Sequence, residues 1–307
     1  MHIIIPIKIT ESMIGSGTSI AEPAAGETVW VSGGSYALGA LRIRIETHRE
    51  YECVQAHSGR TEAPEDDPAY WLDKNPTQRH APFDAYKSTA AKATGALTYV
   101  LSPGYFNVLA LYGMTGLSLT VTLRPEPGGT PIHNQTYDLL EPPIGDYEYL
   151  FSPPKYIKKI IVKDLPIRPS AQLTLTLTSS SGEPVSIGMI NVGDYSPLYG
   201  DGEWGGTRYG CSAEPVSNSY VDTNPDGTFE IKKRLSATGM RAVVELPLNQ
   251  ANQALEKLQS VLDEPVSYIA SDLPDYAGLN VFGLGKSYVT YDGEGGATIN
   301  ISVQGFI

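Results

Sequence analysis

The feature that most constrains this chain is a set of short segments in which apolar residues alternate with threonine or serine. LSLTVTL (117–123) and QLTLTLT (172–178) keep a strict period of two, which predicts strands with one buried face. LTYVL (97–101), NVLALYG (107–113) and YIKKIIVK (156–163) also read as strands. Several strands at short spacing without helices predict a sandwich or a jelly roll. Turn-forming residues separate them in the segments PGY, PEPGGTP, EPPIGD and SSSGEP.

The last quarter of the chain has a different pattern, with one amphipathic helix among strands. We predict a helix from Asn249 as N-cap to Leu262. Its apolar residues recur every three or four positions and predict one buried stripe. The stripe consists of Ala251, Ala254, Leu255, Leu258, Val261 and Leu262.

Together these patterns predict a mostly β fold. We expect a small aromatic β module, a jelly-roll-like β-sandwich and a C-terminal α+β domain with one main helix. The predicted boundaries are 1–26 for an N-terminal strand and linker, 27–75 for the aromatic module, 76–195 for the sandwich, 196–227 for a connector rich in Gly, Ser and Pro, and 228–307 for the C-terminal domain.

The charge balance disfavours several classes of partner. The formal net charge is −12, which repels a phosphate backbone, so we expect no nucleic-acid binding. The short basic patch of Lys155, Lys158 and Lys159 is read as a solvated strand edge. No apolar run approaches the ~18 residues of a membrane helix, and we expect a soluble protein without membrane insertion. Cys53 and Cys211 lie far apart and form neither a zinc spacing nor a disulfide framework.

Two local motifs suggest a ligand but have simpler explanations. GLGKS (283–287) lacks the first glycine of a phosphate loop and continues into the strand-like SYVTY, so we predict no nucleotide site. Asp222, Asn224 and Asp226 match the first half of a calcium loop, but position twelve is Lys233. An ordinary turn is favoured there, and we expect neither a metal nor a cofactor.

No set of residues nominates a catalyst. The histidines are scattered, without HExxH or a GxSxG serine nearby. Carboxylate pairs can be drawn from loop acids, but such acids usually face solvent. We therefore predict no catalytic residue and no enzyme activity. The histidines are His2, His48, His57, His80 and His133, and the acids are Asp66, Asp67, Asp292 and Glu294.

Residues 27–73 carry an aromatic skeleton with two physical interpretations. Exposed aromatic rings stack on the apolar faces of sugars, so we predict glycan binding. Aromatic residues also fill the core of a module this small, and the choice between these interpretations stays open. The predicted glycan-binding residues are Trp30, Tyr36, Tyr51 and Trp71.

This skeleton, with Trp30, Tyr36 and Gly39 before a hairpin and Trp71 at its close, resembles the chitin-binding type 3 carbohydrate-binding module. The resemblance covers residues 27–73. It departs from the family where Gly39 is followed by Ala40 instead of aspartate.

The chain also resembles, nearly end to end, a family of tail-associated virion proteins of tailed bacteriophages. The first matching segments are PIKITESMIGSGTSIAEP (6–23) and WLDKNPTQRHAPFDAYKST (71–89). Asn75 and Gln78 replace the usual glycine and asparagine. The matched residues in the second segment are Trp71, Leu72, Asp73, Pro76, Thr77, Arg79, Phe83 and Asp84. Later matches are VLALYGMTGLSLTVTL, FEIKKRLSATGMRAVVEL and ISVQGFI.

The resemblance implies a structural component of a phage tail, at the tip or baseplate, assembled in the host cytoplasm and carried in the virion. It implies contacts with other phage tail proteins and with further copies of the chain as a homo-oligomer, with the aromatic module presented toward a host surface glycan. One alternative is a lectin-like adhesin that binds host glycans. Another is a glycan-degrading enzyme with an accessory carbohydrate module.

Overall fold

A computed structural model describes residues 1–86, 88–199, 204–293 and 295–306. The chain divides into two compact units, one formed by Lys8–Asn191 and the other by Met1–Ile7 together with Val192–Ile307. The described residues are mostly β, with a sandwich-like arrangement and one main helix near the C-terminus. The predicted fold class is therefore confirmed.

Strands account for most of the regular structure. They are, in chain order, β1 (His2–Pro6), β2 (Ser35–Tyr36), β3 (Leu41–Arg44), β4 (Arg49–Cys53), β5 (His57–Ser58), β6 (Trp71–Pro76), β7 (Ala91–Thr94), β8 (Ala96–Leu101), β9 (Val108–Tyr112), β10 (Ser118–Arg124), β11 (His133–Asp138), β12 (Lys159–Val162), β13 (Gln172–Thr178), β14 (Pro184–Ile187), β15 (Met189–Pro197), β16 (Gly206–Thr207), β17 (Ser212–Ser217), β18 (Tyr220–Thr223), β19 (Phe229–Lys232), β20 (Ser236–Pro247), β21 (Val266–Ile269), β22 (Asn280–Tyr291) and β23 (Gly296–Gly305).

Helices are few and short. The α-helices are α1 (Gly145–Phe151) and α2 (Ala251–Ser260), and the 3-10 helices are Glu11–Met13, Pro64–Asp66, Ala81–Phe83, Leu248–Gln250 and Pro274–Leu279. Within the described part of the chain, no helix combines the length and the apolarity needed to cross a membrane.

The unit Lys8–Asn191 contains the aromatic module and a larger β structure. In the module, β3, β4 and β6 form an antiparallel sheet and β2 pairs with β5. In the larger part, the sheet order is β11-β10-β13-β8, and β9 pairs with β12 and β7 with β14. The period-two strands fold as predicted. Leu119 pairs with Leu177 and is buried. On the other face, the side-chain hydroxyls of Ser118 and Thr178 form a hydrogen bond of 2.7 Å.

The second unit is a sheet covered by α2. Strand β1 lies between β15 and β21, and the order continues through β22, β23 and β20 to β16. Strand β17 also pairs with β20. One apolar cluster contains Ala254 and Leu258 of α2 together with Val244 and Ile299 of the sheet. Burial of this face fixes the helix on the sheet, as its spacing predicted.

The bounds of this helix differ from the prediction. The chain forms the 3-10 turn Leu248–Gln250 before α2, and Gln250 is the N-cap without a side-chain hydrogen bond. The helix ends at Ser260 instead of Leu262, and the Leu262 side chain is 54% exposed because it lies past the helix end. The stripe is buried at Ala251, Ala254, Leu258 and Val261, and Leu255 is half-buried.

Three segments take a form that their composition did not suggest. The predicted N-terminal strand joins the unit that contains the C-terminus, because Ile3 pairs with both Ser196 and Tyr268. The predicted connector 196–227 includes β16, β17 and β18, and its residues 200–203 lie outside the described residues. The turn-like EPPIGD leads into the helix α1.

Candidate functional site

The four aromatic residues predicted to bind glycan lie together in the core of the module. Trp30, Tyr36, Tyr51 and Trp71 form one apolar cluster with Cys53. Their exposed fractions range from 2% for Trp71 to 8% for Trp30. The ring of Tyr36 meets that of Trp71 edge-on, with 5.0 Å between centroids and 72° between planes. These rings fill the module's interior, which is the second of the two interpretations of the sequence.

The outer edges of this cluster are also occupied. The backbone N–H of Val31 donates to the Tyr36 hydroxyl oxygen at 2.8 Å, and the guanidinium of Arg42 lies 5.2 Å from the centre of the Tyr36 ring. Arg44 lies 5.0 Å from the centre of the Trp30 ring. Such arginine contacts use the ring faces that a sugar would need. Trp30 and Tyr36 therefore each have an arginine against the ring.

The surface of the module offers aliphatic side chains instead of aromatic ones. Among its described residues, the exposed large hydrophobic side chains are Val31, Leu38, Leu41, Ile45, Val54 and Leu72. Branched aliphatic groups lack the flat π-face that stacks on a sugar ring. Glycan binding at Trp30, Tyr36, Tyr51 and Trp71 stays a prediction for which this surface offers no aromatic platform.

The acids considered for glycoside hydrolysis do not form one group. Asp67 is buried and accepts a hydrogen bond from Arg60 Nε at 2.7 Å, and Asp66 ends a 3-10 turn. Asp292 belongs to the other unit and accepts a hydrogen bond from the Thr298 hydroxyl. Glu294 lies outside the described residues. Asp67 and Asp292 thus have local structural partners.

The two ligand-like motifs fold as strand and turn. GLGKS lies inside the continuous strand β22, so its backbone amides belong to a sheet and not to a phosphate loop. At the second motif, Asp226 Oδ1 accepts the Thr228 N–H at 3.0 Å and Asp222 pairs with Lys232 at 2.7 Å. Hydrogen bonds from Thr228 lower the pKa of Asp226. The motif closes the β18–β19 hairpin.

One polar cluster was not visible in the sequence. Glu11, Glu22, His48 and His80 each bring a ligating atom within 4.8 Å of the others. His48 Nδ1 lies 2.8 Å from Glu22 Oε2, and His80 Nε2 lies 3.3 Å from Glu11 Oε2. These residues share no local motif, and only the folded turn between β3 and β4 brings His48 to the segment after β6.

Burial affects the pKa of His80, one member of this cluster. Desolvation lowers the pKa of the His80 imidazole, and the nearby His48 lowers it further, while Glu22 and Glu11 act in the opposite direction. Thr77 donates its hydroxyl to Glu22 Oε1 at 2.6 Å. The carboxylate of Glu22 is thereby fixed between a hydroxyl and an imidazole.

A second feature lies in the other unit, where the hairpin of β18 and β19 extends from the sheet. We call residues 217–236, which include this hairpin, the arm. Strands β18 and β19 pair only with each other among the described strands, and their residues are almost all exposed. The register pairs Val221 with Ile231 and Thr223 with Phe229. Paired residues share a face, so one face of the arm is apolar.

The opposite face of the arm is polar and charged. In the strand register, Tyr220 lies opposite Lys232 and Asp222 lies opposite Glu230. Lys232 Nζ lies 2.7 Å from Asp222 Oδ2 and 5.7 Å from the centre of the Tyr220 ring. This face is suited to water, whereas Phe229, 69% exposed, and its neighbours Val221 and Ile231 are not. The arm is amphipathic.

A third feature is an apolar groove next to α1 in the unit Lys8–Asn191. Four prolines line it together with Leu140 and Ile144, and the pair of Glu148 and Lys155 lies at its rim. The prolines are Pro142, Pro143, Pro153 and Pro154. The helix itself exposes Tyr147, Tyr149, Leu150 and Phe151. We call this surface the proline groove.

No family model, curated protein or solved structure matches the chain. The structure defines a mostly β chain with an aromatic core module, an exposed amphipathic arm and an apolar groove.

Proposed function

We propose that this chain is a non-enzymatic structural protein of a bacteriophage tail, at the tip or baseplate, which assembles with further copies of itself and with other tail proteins. The tail assignment rests on the sequence resemblance described above. The observation that supports an assembly role is the arm, whose apolar face is exposed at Val221, Phe229 and Ile231.

The arm has a physical need for a partner. A two-stranded hairpin is marginally stable in water unless a third strand or an apolar surface covers it. Exposed edges and apolar faces of this kind promote pairing with another chain. The partner must offer an apolar surface, because the residues of this face carry no charge. Docking on such a surface would bury the apolar face and stabilise the hairpin.

A second copy of the chain supplies a suitable surface. The proline groove is apolar and exposed, and it belongs to the same chain as the arm. A patch on one copy that fits a groove elsewhere on the next copy makes a heterologous contact, which closes into rings or continues as a stack. Both arrangements suit a tail, which is built from repeated subunits around an axis.

The assembly role can be tested on the purified full-length chain by light scattering after size-exclusion chromatography. We expect the wild type to form a defined oligomer. Ile231→Glu places a charge on the apolar face and is expected to yield monomers. The matched control is Glu230→Gln on the opposite face of the same hairpin, which should leave the oligomer intact. A wild-type monomer, or an oligomer that survives Ile231→Glu, would contradict the role of the arm.

The virion assignment needs a separate experiment. An antibody to the chain, applied to intact phage particles, is expected to label the distal end of the tail in immunogold electron microscopy. Mass spectrometry of the same purified particles should detect the chain. Particles that carry neither label nor peptide would refute the tail proposal, whatever the oligomeric state of the purified chain.

A further inference from the structure

Three separate segments of one unit build the polar cluster. The N-terminal segment supplies Glu11 and Glu22, the turn between β3 and β4 supplies His48, and the segment after β6 supplies His80. Glu11 begins the 3-10 helix Glu11–Met13, and Glu22 follows in the next loop. His48 occupies the turn between β3 and β4, and His80 precedes the 3-10 helix Ala81–Phe83. The Thr77 N–H donates to the His48 carbonyl at 2.9 Å and holds two of these segments together. The four side chains therefore converge from fixed backbone positions.

The separations between donor atoms suit a small cation. One ligating atom of each of the four residues lies within 4.8 Å of the others, and the contacts include 2.8 Å from His48 Nδ1 to Glu22 Oε2 and 3.3 Å from His80 Nε2 to Glu11 Oε2. Zinc is bound at about 2.0–2.1 Å by nitrogen or oxygen, so neighbouring ligands of a tetrahedral site lie roughly 3.3 Å apart. Side-chain rotations that unstack the imidazoles of His48 and His80 and draw the four ligating atoms together would give that geometry.

One ligating atom of the cluster, His80 Nε2, is buried without a hydrogen-bond partner. The side chains of Glu22 and His80 are only 6% and 11% exposed. His80 Nε2 is buried and makes no hydrogen bond of acceptable geometry, although Glu11 is near it. A buried carboxylate needs a compensating positive charge.

Arg79 is the nearby fixed cation, and it acts on Glu11 from outside the group. Its guanidinium lies 3.0 Å from Glu11 Oε1, and its Nη1 donates to the Ile20 carbonyl at 2.7 Å. Outer partners of this kind orient the carboxylates that ligate metal ions. Arg79 thus neutralises and positions one carboxylate, and the buried Glu22 is paired with His48 and Thr77.

We propose that Glu11, Glu22, His48 and His80 bind one divalent transition-metal ion, with Zn²⁺ as the best fit, through a nitrogen of each histidine and an oxygen of each glutamate. Imidazole and carboxylate together suit zinc, whereas calcium and magnesium prefer oxygen alone. Four protein ligands make a closed, structural site. The ion would fasten the N-terminal segment to the aromatic module.

The test is titration of the chelator-treated full-length chain with Zn²⁺ by isothermal calorimetry. We expect one ion per chain and a higher melting temperature with zinc, because the ion binds the folded state. Loss of a residue that only orients a metal ligand weakens binding roughly 10- to 100-fold. Glu11→Gln and His48→Gln each remove a proposed ligand, so each should weaken zinc binding by at least that much. His133→Gln and Glu62→Gln are matched controls from outside the cluster and should bind zinc like the wild type.

X-ray absorption of the zinc-loaded wild type gives a readout that needs no variant. Only nitrogen and oxygen ligands, with two imidazoles, are expected. Sulfur in the first shell would place the ion at Cys53 or Cys211 and overturn the proposal. So would the absence of stoichiometric binding, or equal affinity in the cluster variants and the controls.

Discussion

The imidazole rings of His48 and His80 stack on each other, with 3.9 Å between their centroids and 27° between their planes. The buried Thr77 holds this pair in place. Its N–H donates to the His48 carbonyl at 2.9 Å, and its hydroxyl lies 3.4 Å from His80 Nδ1 and donates to Glu22 Oε1 at 2.6 Å. One threonine therefore connects three members of the polar cluster.

Replacing Thr77 by valine keeps the shape of the side chain and removes this hydroxyl. We expect Thr77→Val to lower the free energy of unfolding by about 1–3 kcal/mol, because the buried Glu22 carboxylate loses a donor that water cannot replace. Urea unfolding of the full chain without added metal measures the change. Thr61→Val, at an exposed position, is the control. A loss at Thr77 no greater than at Thr61 would show that the hydroxyl is dispensable.

Trp71 and Leu72 are neighbours on β6 that face opposite sides of the module's sheet. Trp71 is 2% exposed and Leu72 is 53% exposed. We expect Trp71→Ala to cost about 3–5 kcal/mol of unfolding free energy, as for a large ring removed from a core. Leu72→Ala should change it by about 0.5 kcal/mol or less. If Trp71→Ala kept wild-type stability in urea, the ring would not be a core residue.

The alternating pattern predicted the strands, because the apolar residues that define each buried face lie within a few positions of one another. Alternation in LSLTVTL and QLTLTLT specifies which face is buried, and β10 and β13 follow it residue by residue. The helix α2 was found for the same reason, since its apolar stripe repeats within three turns. Its predicted ends at Asn249 and Leu262 were wrong, because Asn249 lies inside the 3-10 turn Leu248–Gln250 and the helix ends at Ser260.

Features that depend on distant partners could not be predicted in this way. The spacing of Trp30 and Trp71 is the same for a surface platform and for a core, and only their packing into one buried cluster with Tyr36 decides the outcome. His48 and His80 meet because β4 and β6 are adjacent in one sheet. Sequence spacing does not encode that contact, so the polar cluster was missed.

Tyr99 predicts an alkaline loss of stability. Its ring is buried and its hydroxyl donates to the Arg79 carbonyl at 3.0 Å. Burial raises the pKa of Tyr99 far above its ordinary value, against a smaller opposing effect of Arg79. The unfolded tyrosine ionises near about pH 10. The stabilisation is thus complete below about pH 10 and is lost as the pH rises toward the folded pKa.

Comparison with Tyr99→Phe isolates this effect. At neutral pH the variant should be less stable by about 0.5–1.5 kcal/mol, the value of one hydrogen bond. Above about pH 10 the wild type should lose about 1.4 kcal/mol per pH unit that the variant keeps. Tyr268, whose pKa is also raised by burial, is present in both proteins and cancels. A stability difference that is constant between about pH 8 and about pH 11 would contradict the assignment to Tyr99.

Gly285, in the GLGKS segment, is explained by packing against Tyr268. A Cβ atom at Gly285 would overlap the buried Tyr268 hydroxyl, whereas a Cβ at Gly278 would meet nothing within 4 Å. Gly285→Ala should therefore lower the unfolding free energy by about 1–3 kcal/mol through overpacking. Gly278→Ala is the matched control and should be neutral or stabilising by up to about 1 kcal/mol, because alanine reduces the entropy of the unfolded chain. Urea unfolding of both variants measures the contrast. Effects of the same sign and size would mean that Tyr268 does not require glycine at this position in β22.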